Sequence, residues 1–287
     1  MAAASKTGWS EMNDKALWLR GYSTSVYLFL YAPIALIMLF SFNAGRSGLS
    51  FECCSTQWFG RAFDNPFIME ALGNSALIAL CSATLATLFG TLAVFGLQRV
   101  SGRVRMLFDA LTYCAIIVPG IVIGIATLIA FITLFDLFNP LLAALDLGIP
   151  KLRMGFFTVV AAHSLFTMAL VMVIVRTRVD ALDKSLLEAS ADLYAPPLET
   201  FWRVILPQIA PAIMAGFLLA FTFSFDDFII AFFVAGSETT LPIYIFSSIR
   251  RGVTPEINAV STVIILASLA LLFTSRYLQN RRTGVAA

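Results

Sequence analysis

Six long apolar stretches alternate with short polar ones along this chain, over about Tyr22–Phe42, Leu72–Leu97, Leu107–Leu134, Phe156–Val175, Ile209–Ala235 and Ile257–Tyr277. A helix rises 1.5 Å per residue, so about 20 apolar residues cross the roughly 30 Å hydrocarbon layer of a membrane. The pattern predicts an all-α membrane protein with six transmembrane helices. Residues 1–21 precede the first span as a polar segment with Lys6, Lys15 and Arg20, and 278–287 follow the last as a tail. Nothing like a cleavage site follows a short apolar core, so the first span is expected to stay as an anchor. Pro119-Gly120 should kink the third span. Residues 136–155, with Pro140 and Pro150, read as a loop in which 141–147 form a short interfacial helix. After the fifth span, Pro242 suits a helix start and Gly252 a stop, which predicts a short helix at the outer surface.

Six spans place both termini on one side. The N-terminal segment, the Arg99–Arg105 cluster, the Arg176–Arg203 stretch and the C-terminal end from Arg276 hold 13 of the 19 Lys and Arg residues. Basic residues favour the cytoplasmic face, so these segments are expected there.

Composition narrows the class. The 287 residues are 59% apolar and 13% charged, with a mean hydropathy of +0.88, far outside the soluble globular range. A formal charge of +2, with basic residues in short clusters between spans, gives no reason to expect a nucleic-acid partner. One His and four Cys leave little for a metal site, and none is expected. Cys81 and Cys114 lie inside apolar runs as packing residues. Cys53 and Cys54 lack zinc-type spacing, and a disulfide or reactive thiol there is the less favoured reading. His163, alone in the fourth span, reads as a hydrogen-bonded packing group, and Asp109 and Asp136 near span ends need no special role.

The longest polar interruption runs from Arg176 to Pro207. Its first part, Asp183 to Leu193, is built of good helix formers, with Lys184 and Glu188 four apart on one face. Pro196-Pro197 stops that helix. A second amphipathic turn follows over Leu198–Leu206, with Leu198, Phe201, Trp202 and Ile205 at helical spacing. Glu188-Ala189-Ser190, with Val204-x-Leu206-Pro207 after it, resembles the "EAA" loop of the permease subunits of bacterial ABC importers. There Glu-Ala-Ala is followed after three residues by Gly and after nine more by Ile-x-Leu-Pro. Here Ser190 replaces the second Ala, Val204 replaces Ile, and Tyr194 stands at the Gly, a position where Gly permits a positive φ that Tyr adopts only at a cost. The resemblance implies a type I ABC importer permease fold, a cytoplasmic coupling loop over about 176–208, and ATPase-coupling roles for Glu188, Ala189, Ser190, Asp192, Tyr194, Leu206 and Pro207.

The sharpest polar feature within a span is Phe221-Thr-Phe-Ser-Phe-Asp226-Asp227-Phe228. An Asp at the bilayer centre costs roughly 2.5–3.5 kcal/mol on insertion scales, so two adjacent ones need a water-filled cavity or a cationic partner. The pair either ties the fifth helix to a neighbour or meets a cationic solute beside Phe223 and Phe225, with one acid facing the pathway and the other bonded. Ser-Phe-Asp-Asp-Phe, with Thr239-Thr-Leu-Pro242 and Gly252-Val-Thr-Pro-Glu-Ile-Asn258, resembles the spermidine/putrescine branch of these permeases. That resemblance implies half of a heterodimeric pore in the bacterial inner membrane, with a second homologous permease, a cytoplasmic ATPase dimer and a periplasmic polyamine-binding protein as partners besides lipid. Opines, phosphonates or ferric iron remain as other cargo. No Gly-x-x-x-x-Gly-Lys-Ser/Thr phosphate loop occurs, so ATP and Mg are expected only in the partner ATPase and no cofactor in this chain. An intramembrane aspartyl protease would need two acids facing each other from separate helices, which sequence neighbours do not offer. A passive channel or scaffold would need no docking loop.

Overall fold

A computed structural model of the chain describes residues 4–46, 50–100, 102–145, 150–252 and 254–283. Every regular element among them is helical: α1 Ala4–Phe40, α2 Gln57–Asp64, α3 Pro66–Gln98, α4 Gly102–Ile117, α5 Gly120–Ala144, α6 Phe156–Asp180, α7 Lys184–Asp192, α8 Pro197–Thr200, α9 Leu206–Asp226, α10 Ile229–Val234, α11 Leu241–Arg251 and α12 Pro255–Thr283. A π-helical turn, Phe201–Ile205, joins α8 to α9. Among the described residues, five segments are long and apolar enough to cross a membrane: Trp18–Phe40, Pro66–Gln98, Gly120–Ala144, Phe156–Asp180 and Pro197–Asp226. The sixth expected span corresponds to α12, whose described apolar part, Pro255–Ala270, is shorter.

The chain divides into two units, Met1–Pro66 with Ser247–Ala287, and Phe67–Phe246. In the first, α12 packs on α1 and α2. None of the α1 side chains from Trp18 to Phe40 is buried, as suits an apolar helix bathed in lipid. The turn after α1 is organised by Asn43, which is fully buried. Its Nδ2 donates to Ser50 O at 2.8 Å, and its Oδ1 accepts from the N–H groups of Glu52 (2.6 Å) and Gly45 (3.3 Å). Trp58 Nε1 donates to Asn43 O at 2.6 Å. Against the sequence expectation, Cys53 and Cys54 are joined as a disulfide between neighbours in this exposed stretch.

In the second unit α6 is the hub. Val171 of α6 fits between Gly90 of α3 and Gly216 of α9, where an added Cβ would lie 3.2 and 3.3 Å from its Cγ1. Small residues let helix backbones approach closely, a packing mode suited to lipid, where water drives nothing together. One apolar core joins Val94, Val171, Val175, Ile209 and Ala220 from these three helices. A second joins Ile78 of α3, Val159 of α6 and Ile230 and Val234 of α10. Arg176 of α6 pairs with Asp109 of α4 and, at 3.6 Å, with Asp180 one turn on, beside a cleft of about 230 Å³. Asp109 therefore has a structural role that its place near a span end did not suggest.

Several boundaries differ from the sequence reading. The polar start is the first part of α1, because its residues continue the helix instead of forming a separate segment. The third span is interrupted at Val118-Pro119, where Pro removes a backbone donor, and α5 continues through Pro140 to Ala144 in place of a separate 141–147 helix. Part of that expected helix, 146–147, lies outside the described residues. The fifth span ends at Asp226, and α10 is a separate short helix. The α11 boundaries agree with the start at Pro242 and stop at Gly252.

Asn43→Ala would leave the N–H groups of Gly45 and Glu52 without their side-chain acceptor. Each lost hydrogen bond costs about 0.5–1.5 kcal/mol, so the variant should melt several degrees below wild type in detergent. An unchanged melting curve would remove Asn43 from its organising role.

Candidate functional site

The acid pair sits at the break between α9 and α10, and the break separates the two carboxylates. Asp226 is the last residue of α9, whereas Asp227 is extended at φ −70°, ψ 121°. Asp227 Oδ2 accepts from the backbone N–H of Ala231 at 3.0 Å, in the first turn of α10. Asp is a natural capping residue, and its negative charge suits the positive N-terminal end of a helix. The same oxygen lies 3.2 Å from Nε2 of His163, although that nitrogen is out of line for a hydrogen bond. His163 is 1% exposed and its Nδ1 is 2.8 Å from Ser224 Oγ, one turn before Asp227. The structure thus agrees with reading His163 as a hydrogen-bonded group of the interior.

Asp226 is in the opposite situation. It is exposed and has no hydrogen bond or ion pair among the described residues. The buried stripe of α9 is Ile209, Gly216, Ala220 and Ser224, facing α6, while Leu218, Thr222, Phe223 and Asp226 lie on the exposed side. Its carboxylate also stands at the negative C-terminal end of α9, where a cation is favoured and an anion is not. Phe223 is 46% exposed and meets Phe166 edge-on at 6.1 Å, while Phe225 is half-buried and stacks on Phe221 at 6.0 Å. Both therefore lie beside the break, Phe223 on the side of Asp226. The aromatic cluster that sequence spacing did not single out comes after it: Phe228 lies 4.6 Å from Phe246 and 5.4 Å from Phe232 between ring centres. The two interrupted spans also meet here, since a Cβ on Gly120, just after the α4–α5 break, would lie 4.0 Å from Ile229.

The polar loop forms a second site. Asp183 caps α7 by accepting from Ser185 N–H at 2.9 Å, which holds its carboxyl below the usual carboxylate range. That capping contribution is present above the unfolded-state pKa and fades as pH falls through the lower folded value. Glu188, Ala189 and Asp192 are exposed. Ser190 is buried and its Oγ is 2.6 Å from Oγ1 of Thr200, tying α7 to α8. At the other end of α7, Tyr194 N–H donates to Ala191 O and Ala195 N–H to Ser190 O, with Tyr194 at φ +56°. These two bonds and the left-handed residue form the Schellman stop that Gly usually supplies. Of the four residues expected to share one face, Phe201 packs on Phe95 and Ile205 on the core, whereas Leu198 and Trp202 are 70% and 60% exposed. The π turn through Phe201–Ile205 is wider than α geometry and divides the face. Leu206 packs against the core and Pro207 is exposed in the first turn of α9. Among the described residues no cluster of His, Cys, Asp and Glu is arranged to hold a metal ion.

The model of the binding-protein-dependent transport system inner membrane component family matches residues 86–281, more than half of the chain. The chain belongs to this family. The putrescine transport system permease protein PotI of Escherichia coli (strain K12) is 40% identical over 258 residues, covering 89% of this chain and 88% of that protein. The spermidine/putrescine transport system permease protein PotC of the same strain is 31% identical over 264 residues, covering 92% and 94%. In fold, the chain is similar to one in the crystal structure of a bacterial ABC transporter involved in the import of the acidic polysaccharide alginate, with a TM-score of 0.72 at 14% identity over 95% of this chain and 98% of that one. It is also similar to a chain of an amino acid ABC transporter, with a TM-score of 0.52 at 17% identity over 78% of this chain and 98% of that one.

Within this inner membrane component the loop's departures from the Glu-Ala-Ala pattern have local physical consequences. Ser190 adds a hydroxyl bond that Ala cannot make, and Tyr194 adopts a left-handed conformation of the kind that favours Gly. A non-Gly residue in the left-handed region costs about 1–2 kcal/mol. Tyr194→Gly should therefore leave the loop conformation in place and slow amide hydrogen exchange in α7, by about five- to thirtyfold if the full cost is relieved. Faster exchange would show that the Tyr194 side chain stabilises the loop by more than its backbone costs.

Proposed function

We propose that this chain is the permease subunit of an ATP-driven importer and forms half of the pathway for small polyamines, putrescine and spermidine, across the bacterial inner membrane. The observation that carries the cargo class is the unpaired, exposed carboxylate of Asp226 at the C-terminal end of an interrupted membrane helix. Both the carboxylate and the helix end favour a cation, and half-helix ends of this kind hold cations in other transporters. An alkyl diammonium supplies one charge to Asp226 and lays methylene groups and its second ammonium along aromatic faces, of which Phe223 and Phe225 are the nearest in sequence. Asp227, already engaged by Ala231 N–H and His163, shapes the break instead of meeting the solute. The names of the relatives point to the same cargo.

The second permease would complete the pathway, a periplasmic solute-binding protein would deliver the amine, and a cytoplasmic ATPase dimer would hold ATP and Mg. In this reading the termini and the 176–208 loop lie in the cytoplasm. The loop presents Glu188 together with Leu193, Tyr194, Leu198 and Trp202, exposed by 60% or more. Exposed apolar side chains clustered between polar ones mark a docking surface. The loop continues α6 at one end and runs into α9 at the other. Closure of the ATPase on nucleotide displaces α7 and α8, and both membrane helices that flank the acid pair move with them, turning Asp226 from outward to inward access.

In proteoliposomes of the assembled transporter, Asp226→Asn should raise the KM for putrescine at least about tenfold, the cost of one charge-assisted contact. Wild-type uptake by that variant would remove Asp226 from the pathway. Labelled spermidine and an opine, compared side by side, separate a polyamine site from a related cargo. Glu188→Lys should leave ATP hydrolysis running without uptake, and unchanged coupling would remove Glu188 from the docking contact.

A further inference from the structure

His163 stands on α6, the helix that leads into the polar loop, and touches both sides of the turn that ends α9. Its Nδ1 meets Ser224, inside the last turn of α9, and its Nε2 faces Asp227, the first residue beyond it. The ring is 1% exposed and has no room to reorient without disturbing both contacts. The ring thus stands between a hydroxyl and an acid, with Nδ1 within hydrogen-bond distance of Ser224 Oγ and Nε2 3.2 Å from the Asp227 carboxylate. Asp227 receives the Ala231 N–H on the same oxygen. Two constraints from different helices therefore converge on one oxygen of one acid, while its neighbour Asp226 has none.

We infer that His163 is a positioning residue for transport: it holds Asp227 away from the solute and thereby fixes the break so that Asp226 alone faces the cation. This rests on the reading of Asp226 as the cargo carboxylate and adds to it the residue that decides which acid is offered. Without the ring nitrogen, Asp227 is free to turn toward the cation or to draw it off Asp226, and affinity falls. Because the contact runs from α6, which also carries Arg176 and continues toward α7, any displacement of that helix is passed directly to the carboxylate turn.

The side-chain amide variants separate the two ring nitrogens. Gln places its amide nitrogen near the position of Nε2, and Asn near that of Nδ1. In proteoliposomes of the complete transporter, His163→Gln should keep the KM for putrescine within about twofold of wild type, whereas His163→Asn and His163→Leu should raise it about tenfold, with kcat changing less. The double variant His163→Leu/Asp227→Asn should be no worse than the worse single one, because both remove one linkage. Ser224→Ala, which barely alters packing volume, should raise KM by about threefold and serves if the ring variants fail to assemble. Asn performing as well as Gln, changes confined to kcat, multiplicative KM effects in the double variant, or an unaltered KM for Ser224→Ala would each overturn the role. Asp226→Asn judges the cargo reading separately. Wild-type uptake by Asp226→Asn beside a Gln-versus-Asn difference at His163 would sink the cargo carboxylate and leave the positioning contact standing. The reverse pattern would sink only the positioning contact.

Discussion

An ionised carboxylate within a hydrocarbon layer must find a partner, and the break between α9 and α10 gives its two acids opposite partners. Asp227 meets the positive end of α10 and a buried imidazole. Asp226 meets the negative end of α9, where a cation is favoured and a second negative charge is not. Were the helix continuous through Phe228, neither end would exist, and both acids would face lipid or protein as equals. Interrupting the helix is thus what leaves one of the two costly charges bonded within the fold and the other exposed.

The interruption needs support, because a membrane helix that breaks exposes backbone groups with no water to satisfy them. Much of that support comes from α6. Thr158 Oγ1 donates to Val234 O at 2.6 Å at the end of α10, His163 braces the turn, and Val171 locks α9 through the close approach at Gly216. The partner interruption at Val118-Pro119 lies against the same region, so each break packs where the other loosens the helical stack. One uninterrupted helix with buried residues along its length holds two broken ones in place.

What the sequence made legible follows from how local each signal is. Apolar length placed the membrane helices, and Pro196-Pro197 placed the end of α7, since both depend on neighbouring residues. The split at Asp227 was equally local, for an Asp followed by an apolar turn is a helix-start signal, yet the surrounding apolar run masked it and the span was read as continuous to Ala235. Other features needed three dimensions. Nothing in spacing brings His163 to Asp227, 64 positions away, or Phe246 onto Phe228. The expected face of Leu198, Phe201, Trp202 and Ile205 failed because a π turn shifts residues relative to the 3.6 period, and period counting assumes α geometry throughout.

The loop carries a different lesson, because there a residue disfavoured by its backbone conformation is held in place by its neighbours. Tyr194 stands at a positive φ, where Gly would meet no steric cost. The turn is overdetermined. Two Schellman hydrogen bonds, the Ser190–Thr200 hydroxyl contact and the proline pair all specify the reversal between α7 and α8, and together they outweigh the roughly 1–2 kcal/mol that a left-handed tyrosine costs. The side chain that results is 95% exposed and stands beside Leu193, which is 81% exposed. A glycine would have given the turn without that surface. The strained residue therefore contributes area where the loop faces outward, and its backbone cost is borne by contacts that the loop needs in any case to keep α7 fixed between α6 and α9.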